Sequence, residues 1–232
     1  GRFGKVLHDL LLKTHDVIVY DFNEKCTEGI KSNSLEEVLN CSLVFVAVPI
    51  SSFEGCIKEI AKFNLYNTTI LDVCSVKVYP MEIMEKNLAE HVGIIGTHPH
   101  FGPDSYTPFR ELKVTVCPIR DENNRIDEVK EIFDSLSIRV IQMTPDEHDK
   151  LAASSQGITH FIGRVLKEAG VRSTEINTLG FNELLSVIEQ TCNDSWDLFR
   201  DLQKYNPYTN EMIDNLIDKI NHVHNQIIND AN

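Results

Sequence analysis

Along the first 143 residues, apolar positions gather in short runs rich in β-branched residues: Asp16–Asp21, Ser42–Val48, Thr68–Val73, Val92–Gly96, Lys113–Pro118 and Ile138–Met143. Runs of that length and composition read as strands. Between several of them the period changes. Lys5–Lys13, Phe53–Phe63 and Tyr79–His91 space their apolar residues three and four apart, which puts them on one helical face. Strands alternating with amphipathic helices predict βαβ units, hence an α/β fold with a doubly wound, mostly parallel sheet.

From Thr144 onward the strands stop. Thr144-Pro145-Asp146-Glu147 is a strong helix start, with a threonine N-cap, a proline suited to the first turn and a glutamate that closes a capping box. The helix is predicted to run to Ala169, ahead of Gly170. Leu151, Ala152, Ile158, Phe161, Ile162, Val165 and Leu166 make it apolar around much of its circumference, which predicts burial in a core or an interface. Phe181–Leu202 and Asn210–Ile228 carry two further helical stripes. The chain therefore divides into a sheet domain, 1–143, and an all-helical domain, 144–232.

Composition narrows the possibilities. A formal charge of -13 argues against a general nucleic-acid surface but leaves room for a local anion site. The longest apolar run, near Leu43–Ile50, is too short to cross a bilayer, so no membrane partner is expected. The six cysteines include no C-x-x-C pair, and several lie in strand-like apolar runs. They read as reduced thiols, and the chain as cytoplasmic, or plastid-located in a plant-like source.

The opening Gly1-Arg2-Phe3-Gly4 precedes a helix, and Asp21 closes the run Val17–Asp21. A dinucleotide site needs that combination. The glycine turn lets the backbone approach a pyrophosphate, the helix N-terminus aims its N–H groups at phosphates, and an acid about 20 residues on binds ribose hydroxyls. Gly1, Arg2, Phe3, Gly4 and Asp21 are thus candidate cofactor residues of a Rossmann-type domain, together with Val48 and Pro49 at the end of the next strand. A carboxylate at Asp21 repels a 2′-phosphate, which favours NAD over NADP. The full fingerprint, G-x-G-x-x-G after a strand, lacks its strand and first glycine here. That strand is central in a doubly wound sheet, so the chain is expected to be N-terminally incomplete.

Three stretches carry candidate chemistry: Asp72-Val73-Cys74-Ser75-Val76-Lys77, Gly96-Thr97-His98-Pro99-His100-Phe101-Gly102-Pro103-Asp104-Ser105, and Glu147 through Arg164 with Gln156 and His160 inside it. Together they resemble the prephenate/arogenate dehydrogenase family, and the resemblance spans the chain after its opening. Ile176–Phe181 with Asp194–Leu198 is similar to the branch that includes plant-type arogenate dehydrogenases. The resemblance implies an oxidoreductase that oxidatively decarboxylates a small dicarboxylate, prephenate (to 4-hydroxyphenylpyruvate) or arogenate (to tyrosine), with a nicotinamide cofactor. It implies His98 as the catalytic proton acceptor, a task suited to histidine near neutral pH. It implies Ser75 as a hydroxyl that bonds substrate and orients His98, although such a serine also commonly caps the next helix. It implies His160 as a substrate-binding group. Gln156 and Arg164, four residues to either side, share its helical face and join it as candidates. His100 falls where the family often has an apolar residue and is read as peripheral or solvent-facing. A homodimer built through the helical domain is expected.

One departure concerns the substrate. The family's carboxylate-binding arginine, in a T-R or S-R dipeptide, has no counterpart near Asn177–Phe181. Arg164 or a partner chain is expected to replace it, and the choice between prephenate and arogenate stays open, with Asp121 a candidate acid for the arogenate amine. The pairs His98/His100 and His222/His224 lack further ligands at metal spacing, so no metal is expected. Two alternatives stand beside this reading: another Rossmann dehydrogenase of the 3-hydroxy acid type, and a non-catalytic or regulatory relative, which the shortened glycine fingerprint keeps open.

Overall fold

The computed structural model describes residues 1–103, 106, 111–121 and 124–230, which form two compact units, 1–148 and 149–232. Asp104 and Ser105, the end of the His98 motif, lie outside the described residues.

The first unit contains α1 (Arg2–Leu11), a 3₁₀ turn (Glu24–Thr27), α2 (Leu35–Leu39), β1 (Leu43–Val46), α3 (Ile50–Ile60), β2 (Thr69–Asp72), α4 (Val78–Asn87), β3 (Gly93–Pro99), β4 (Leu112–Arg120), α5 (Ile126–Ser135) and β5 (Ile138–Gln142). The strands lie side by side in chain order. β1 with β2, β2 with β3, and β4 with β5 are parallel, whereas β3 with β4 is antiparallel. This is the mostly parallel, Rossmann-type sheet that the alternation predicted. Every residue of β2 and β3 is buried, as strands covered on both faces must be. The core joins Leu71 and Ile95 of the sheet to Leu10 of α1 and to Val129 and Phe133 of α5. Leu7, Leu10 and Leu11 form the buried face of α1.

Two strand expectations change. Asp16–Asp21 is not a strand, and among the described residues its β pairing is an isolated bridge between Val19 and Ser32. No strand lies beside it among the described residues, and β-branched composition without a neighbour leaves backbone groups unsatisfied. β3 does not stop at Gly96 but continues through His98 to Pro99, because β4 pairs with it that far: Thr97 faces Val116, His98 faces Thr115 and Pro99 faces Val114.

The long helix from Thr144 forms in three parts: α6 (Pro145–Ala152), a π-helical turn (Ala153–Gly157) and α7 (Ile158–Glu168). Its start is the predicted capping box. Thr144 Oγ1 accepts from Glu147 N at 3.2 Å, and the Thr144 N–H donates to Glu147 Oε2 at 2.9 Å. The second unit continues with α8 (Leu179–Cys192), α9 (Trp196–Tyr205) and α10 (Thr209–Asp230). The predicted single helix over Phe181–Leu202 is therefore two. Ser195 is extended and its hydroxyl accepts from Leu198 N, so it begins a new helix inside an unbroken apolar periodicity. α7 and α8 meet at Gly163, where any Cβ would collide with Thr191 Oγ1. Within the single chain, Gly163 is the buried residue of α7, and Leu151 and Val165 are exposed. No helix among the described residues is long and apolar enough to cross a membrane.

Candidate active site

Because β1, β2 and β3 run parallel, their carboxyl ends share one edge of the sheet, where open α/β folds hold ligands. Three segments emerge there: Val48-Pro49 ahead of α3, Cys74–Lys77 ahead of α4, and the end of β3 with His98 and His100. The start of α1 joins them. A Cβ on Gly4 would stand 3.8 Å from Ala47 Cβ, and the Phe3 ring lies 6.2 Å from that of Phe101. Phe3 and Phe101 are packed in the core, so at Phe3 only the backbone is available to a phosphate. The helix begins at Arg2, so Arg2, Phe3 and Gly4 form its first turn instead of a turn ahead of it; the Gly1 nitrogen at its N-cap lies 3.5 Å from Asp21 Oδ2, the acid predicted to read the ribose. Arg2 is exposed, Val48 is half-buried, and Pro49 is exposed as the N-cap of α3.

A buried ion pair holds the β2–α4 loop against β3. Asp72 and Lys77 have no solvent-exposed side-chain surface, and the Lys77 ammonium donates both to Asp72 Oδ2 and, at 2.6 Å, to the Thr97 carbonyl. Asp72 also accepts the N–H groups of Cys74 at 2.9 Å and Thr97 at 3.1 Å. Burial pushes the Asp72 carboxyl up from its ordinary range, and Lys77 with the two backbone donors opposes that push. Lys77 thus clamps the loop carrying Ser75 to Thr97, the residue before His98. Ser75 itself is half-buried in that loop. β3 and α4 also approach closely at Gly96, where a Cβ would lie 2.8 Å from Met81 Sδ.

His98 is 4% exposed and His148, in the first turns of α6, is 2% exposed. Nδ1 of His98 lies 2.8 Å from Nε2 of His148. His148 is a residue that sequence reasoning left unassigned. It sits inside a quoted motif, but nothing in local periodicity connects it to a strand fifty residues earlier. His100, at the surface, hydrogen-bonds through Nε2 to Thr115 Oγ1 at 2.7 Å, and its ring centre is 4.5 Å from that of His98. Burial first, then the neighbouring His100 and His148, hold His98 well below the ordinary histidine value. Burial and His148 lower His100 to about 4. At neutral pH His98 is thus uncharged, with its Nδ1 held against His148.

In the second unit, Gln156, His160 and Arg164 are half-buried. His160 Nδ1 is buried without a hydrogen-bond partner and lies 3.9 Å from Asp194 Oδ2. Burial lowers the His160 pKa, and Asp194 opposes the shift. Arg164, expected at a substrate carboxylate, has a buried Nε without a hydrogen-bond partner. Its guanidinium donates to the carbonyls of Thr191 and Asp194 and stacks on Trp196 and Phe199, 5.5 and 5.3 Å from their ring centres. Orphan carbonyls at the end of α8 recruit it, which gives it a structural task at the α8–α9 corner. Asp121 is likewise occupied, accepting the N–H groups of Arg125 and Ile126 at the start of α5.

A family model described as "Prephenate dehydrogenase, nucleotide-binding domain" matches residues 14–142, more than half of the chain. The chain belongs to the prephenate dehydrogenase family. A second model, "TYRAAT1-like, C-terminal domain", matches residues 165–232. Arogenate dehydrogenase 2, chloroplastic, of Arabidopsis thaliana is 32% identical across 93% of this chain and 64% of its own length. Arogenate dehydrogenase 1, chloroplastic, of the same plant is 31% identical across 92% of this chain and 36% of its own length. The chain thus spans less than two thirds of both relatives. Among solved structures, prephenate dehydrogenase from Aquifex aeolicus shares the fold at a TM-score of 0.76 and 19% identity, covering 99% of this chain and 88% of that one. A second structure of that enzyme, in complex with hydroxyphenyl propionate and NAD+, aligns at a TM-score of 0.72 and 18% identity, covering 99% of this chain and 87% of that one. In this prephenate dehydrogenase family member, the matched nucleotide-binding region includes Asp21, Ser75 and His98.

Proposed function

We propose that this protein oxidatively decarboxylates prephenate or arogenate with a nicotinamide cofactor, NAD in preference to NADP. The observation that carries the reading is His98: a buried, uncharged histidine at the carboxyl edge of the sheet, its Nδ1 bonded to His148, on the edge where Gly4 brings in the start of α1. The residues fit a dinucleotide. The first turn of α1 presents N–H groups, and the acid at Asp21 lies beside the Gly1 nitrogen. Gly1, Arg2, Phe3 and Gly4 would hold the phosphates, with Asp21 on the ribose and Val48 and Pro49 along the edge. NAD, when bound, supplies the hydride acceptor.

His98 Nε2 takes the proton of the substrate ring hydroxyl as that carbon is oxidised, and CO2 leaves as the ring becomes aromatic. To receive it, His98 must carry its own proton on Nδ1 and donate to His148 Nε2. His148 is therefore a positioning residue that selects the tautomer and steadies the imidazolium formed. Ser75, in the clamped loop, is the hydroxyl proposed to hold substrate against His98. His160 and Gln156 are proposed as substrate-binding groups, His160 because its buried Nδ1 awaits a partner.

Arogenate is the favoured substrate. Asp194 puts a carboxylate beside His160 where an ammonium would be welcome, and both Arabidopsis relatives bear the arogenate name. The test is the reduction of NAD and of NADP, each with prephenate and with arogenate. Asp194→Asn is expected to raise KM for arogenate about tenfold, the scale of one lost charge-assisted hydrogen bond, and to leave prephenate unchanged. An equal change for both substrates would remove the amine-reading role. Reduction of neither cofactor with either substrate would remove the functional reading.

The same reading includes a homodimer through the helical unit. α10 leaves Ile217, Ile220, Val223 and Ile227 between 45% and 66% exposed, a stripe at helical spacing that solvent does not favour. Sedimentation at micromolar concentration is expected to give twice the chain mass; a single-chain mass there would remove the dimer.

A further inference from the structure

We propose that His98, His100 and His148 form a three-histidine site for a divalent transition-metal ion of the zinc class, and that the ion switches off the proton acceptor. The second half rests on the dehydrogenase reading; the first does not.

The sequence shows His98 and His100 as a lone pair, and a pair is too few ligands. The fold supplies the third. His98 lies in β3 and His100 in the bend just after it, with their ring centres 4.5 Å apart. His148 arrives from α6, its ring centre 5.0 Å from that of His98 and 6.2 Å from that of His100. One ring nitrogen from each of the three lies within 4.8 Å of the others. A tetrahedral ion with bonds of about 2.0–2.1 Å needs its ligand nitrogens about 3.3 Å apart. The His98–His148 pair, at 2.8 Å, must open slightly, and His100 must swing inward, a side-chain rotation at an exposed position.

Thr115 Oγ1 contacts His100 Nε2 at 2.7 Å in the ion-free arrangement and must release or follow the ring as it turns inward. Three imidazoles favour zinc, cobalt, nickel or copper over magnesium or calcium, which prefer oxygen. Three protein ligands leave a fourth position for water. An ion on His98 Nδ1 requires the ring's proton to sit on Nε2 and sets two positive charges beside the ring. Nε2 then no longer accepts a proton. Ion binding and turnover are mutually exclusive.

The experiment is a titration of the chelator-treated protein with cobalt(II), followed by visible absorption. One equivalent is expected to produce the intense bands of a tetrahedral ion, and zinc is expected to remove them. His100→Met alters a surface ligand outside the proposed catalytic machinery. It should keep the melting temperature and zinc-free turnover while weakening cobalt binding by at least about 10–100-fold, the range already seen when only an outer contact of a ligand is lost. His148→Phe should also abolish the bands; if it does not fold, His100→Met alone decides. No bands in the folded parent protein, or unchanged bands in His100→Met, would overturn the site. Zinc inhibition of NAD reduction in the parent but not in His100→Met supports the switch, and zinc-insensitive turnover in a protein that shows the bands overturns it. Bands without dehydrogenase activity under any condition would leave the metal site standing and sink the functional reading instead.

Discussion

His98→Asn is expected to leave NAD binding intact and to lower turnover by about two to four orders of magnitude, the range of lost general acid–base help. Asparagine keeps a polar side chain of similar reach but cannot take a proton at neutral pH. NAD affinity should hold because the residues proposed for the cofactor are Gly1–Gly4, Asp21, Val48 and Pro49. Turnover of the variant equal to the parent would take His98 out of the mechanism. The pH profile carries a second, independent reading. A base must be neutral to act, and burial holds His98 well below its ordinary value. The acid limb of kcat/KM should therefore fall below about pH 6.5, with activity lost as pH drops through the lowered pKa. His148→Phe should reduce kcat more than KM, because the buried Nδ1–H loses its acceptor; His148→Gln should recover part of the loss. An equal loss in both variants would reduce His148 to packing.

Lys77→Met is expected to lower unfolding free energy by about 3–5 kcal/mol, the scale of breaking a buried pair from one side. Met fills most of the lysine volume, so the loss is electrostatic: Asp72 stays fully buried without its ammonium partner. Asp72→Asn combined with Lys77→Met should be more stable than Lys77→Met alone, because the stranded charge is gone. Urea denaturation of the three proteins measures this. A loss below about 1 kcal/mol in Lys77→Met would place the pair with ordinary surface salt bridges. The clamp also has a functional readout. It joins the Ser75 loop to Thr97, so turnover in the double variant should fall even where stability recovers.

Local chemistry made much of this protein legible. β2 and β5 stand where β-branched runs placed them, and Thr144 with Glu147 forms the capping box that its spacing predicted. Where prediction erred, a neighbour decided. Asp16–Asp21 has strand composition but no strand beside it. β3 gained His98 because β4 extends alongside it. Phe181–Leu202 looked continuous because apolar period ignores caps, while Ser195 breaks the helix with one hydroxyl.

The sequence by itself determined the α/β alternation, the change to helices after Met143 and the histidine to examine first, because each is written in residues close together along the chain. Only tertiary structure decided how that histidine is held. The His98–His148 contact spans fifty positions, and the Lys77–Thr97 clamp spans twenty. Periodicity reports which face a side chain takes, and it carries no information about what another element brings to that face. The sheet brings β3 to α6 and so converts an isolated H-x-H pair into a cluster of three histidines.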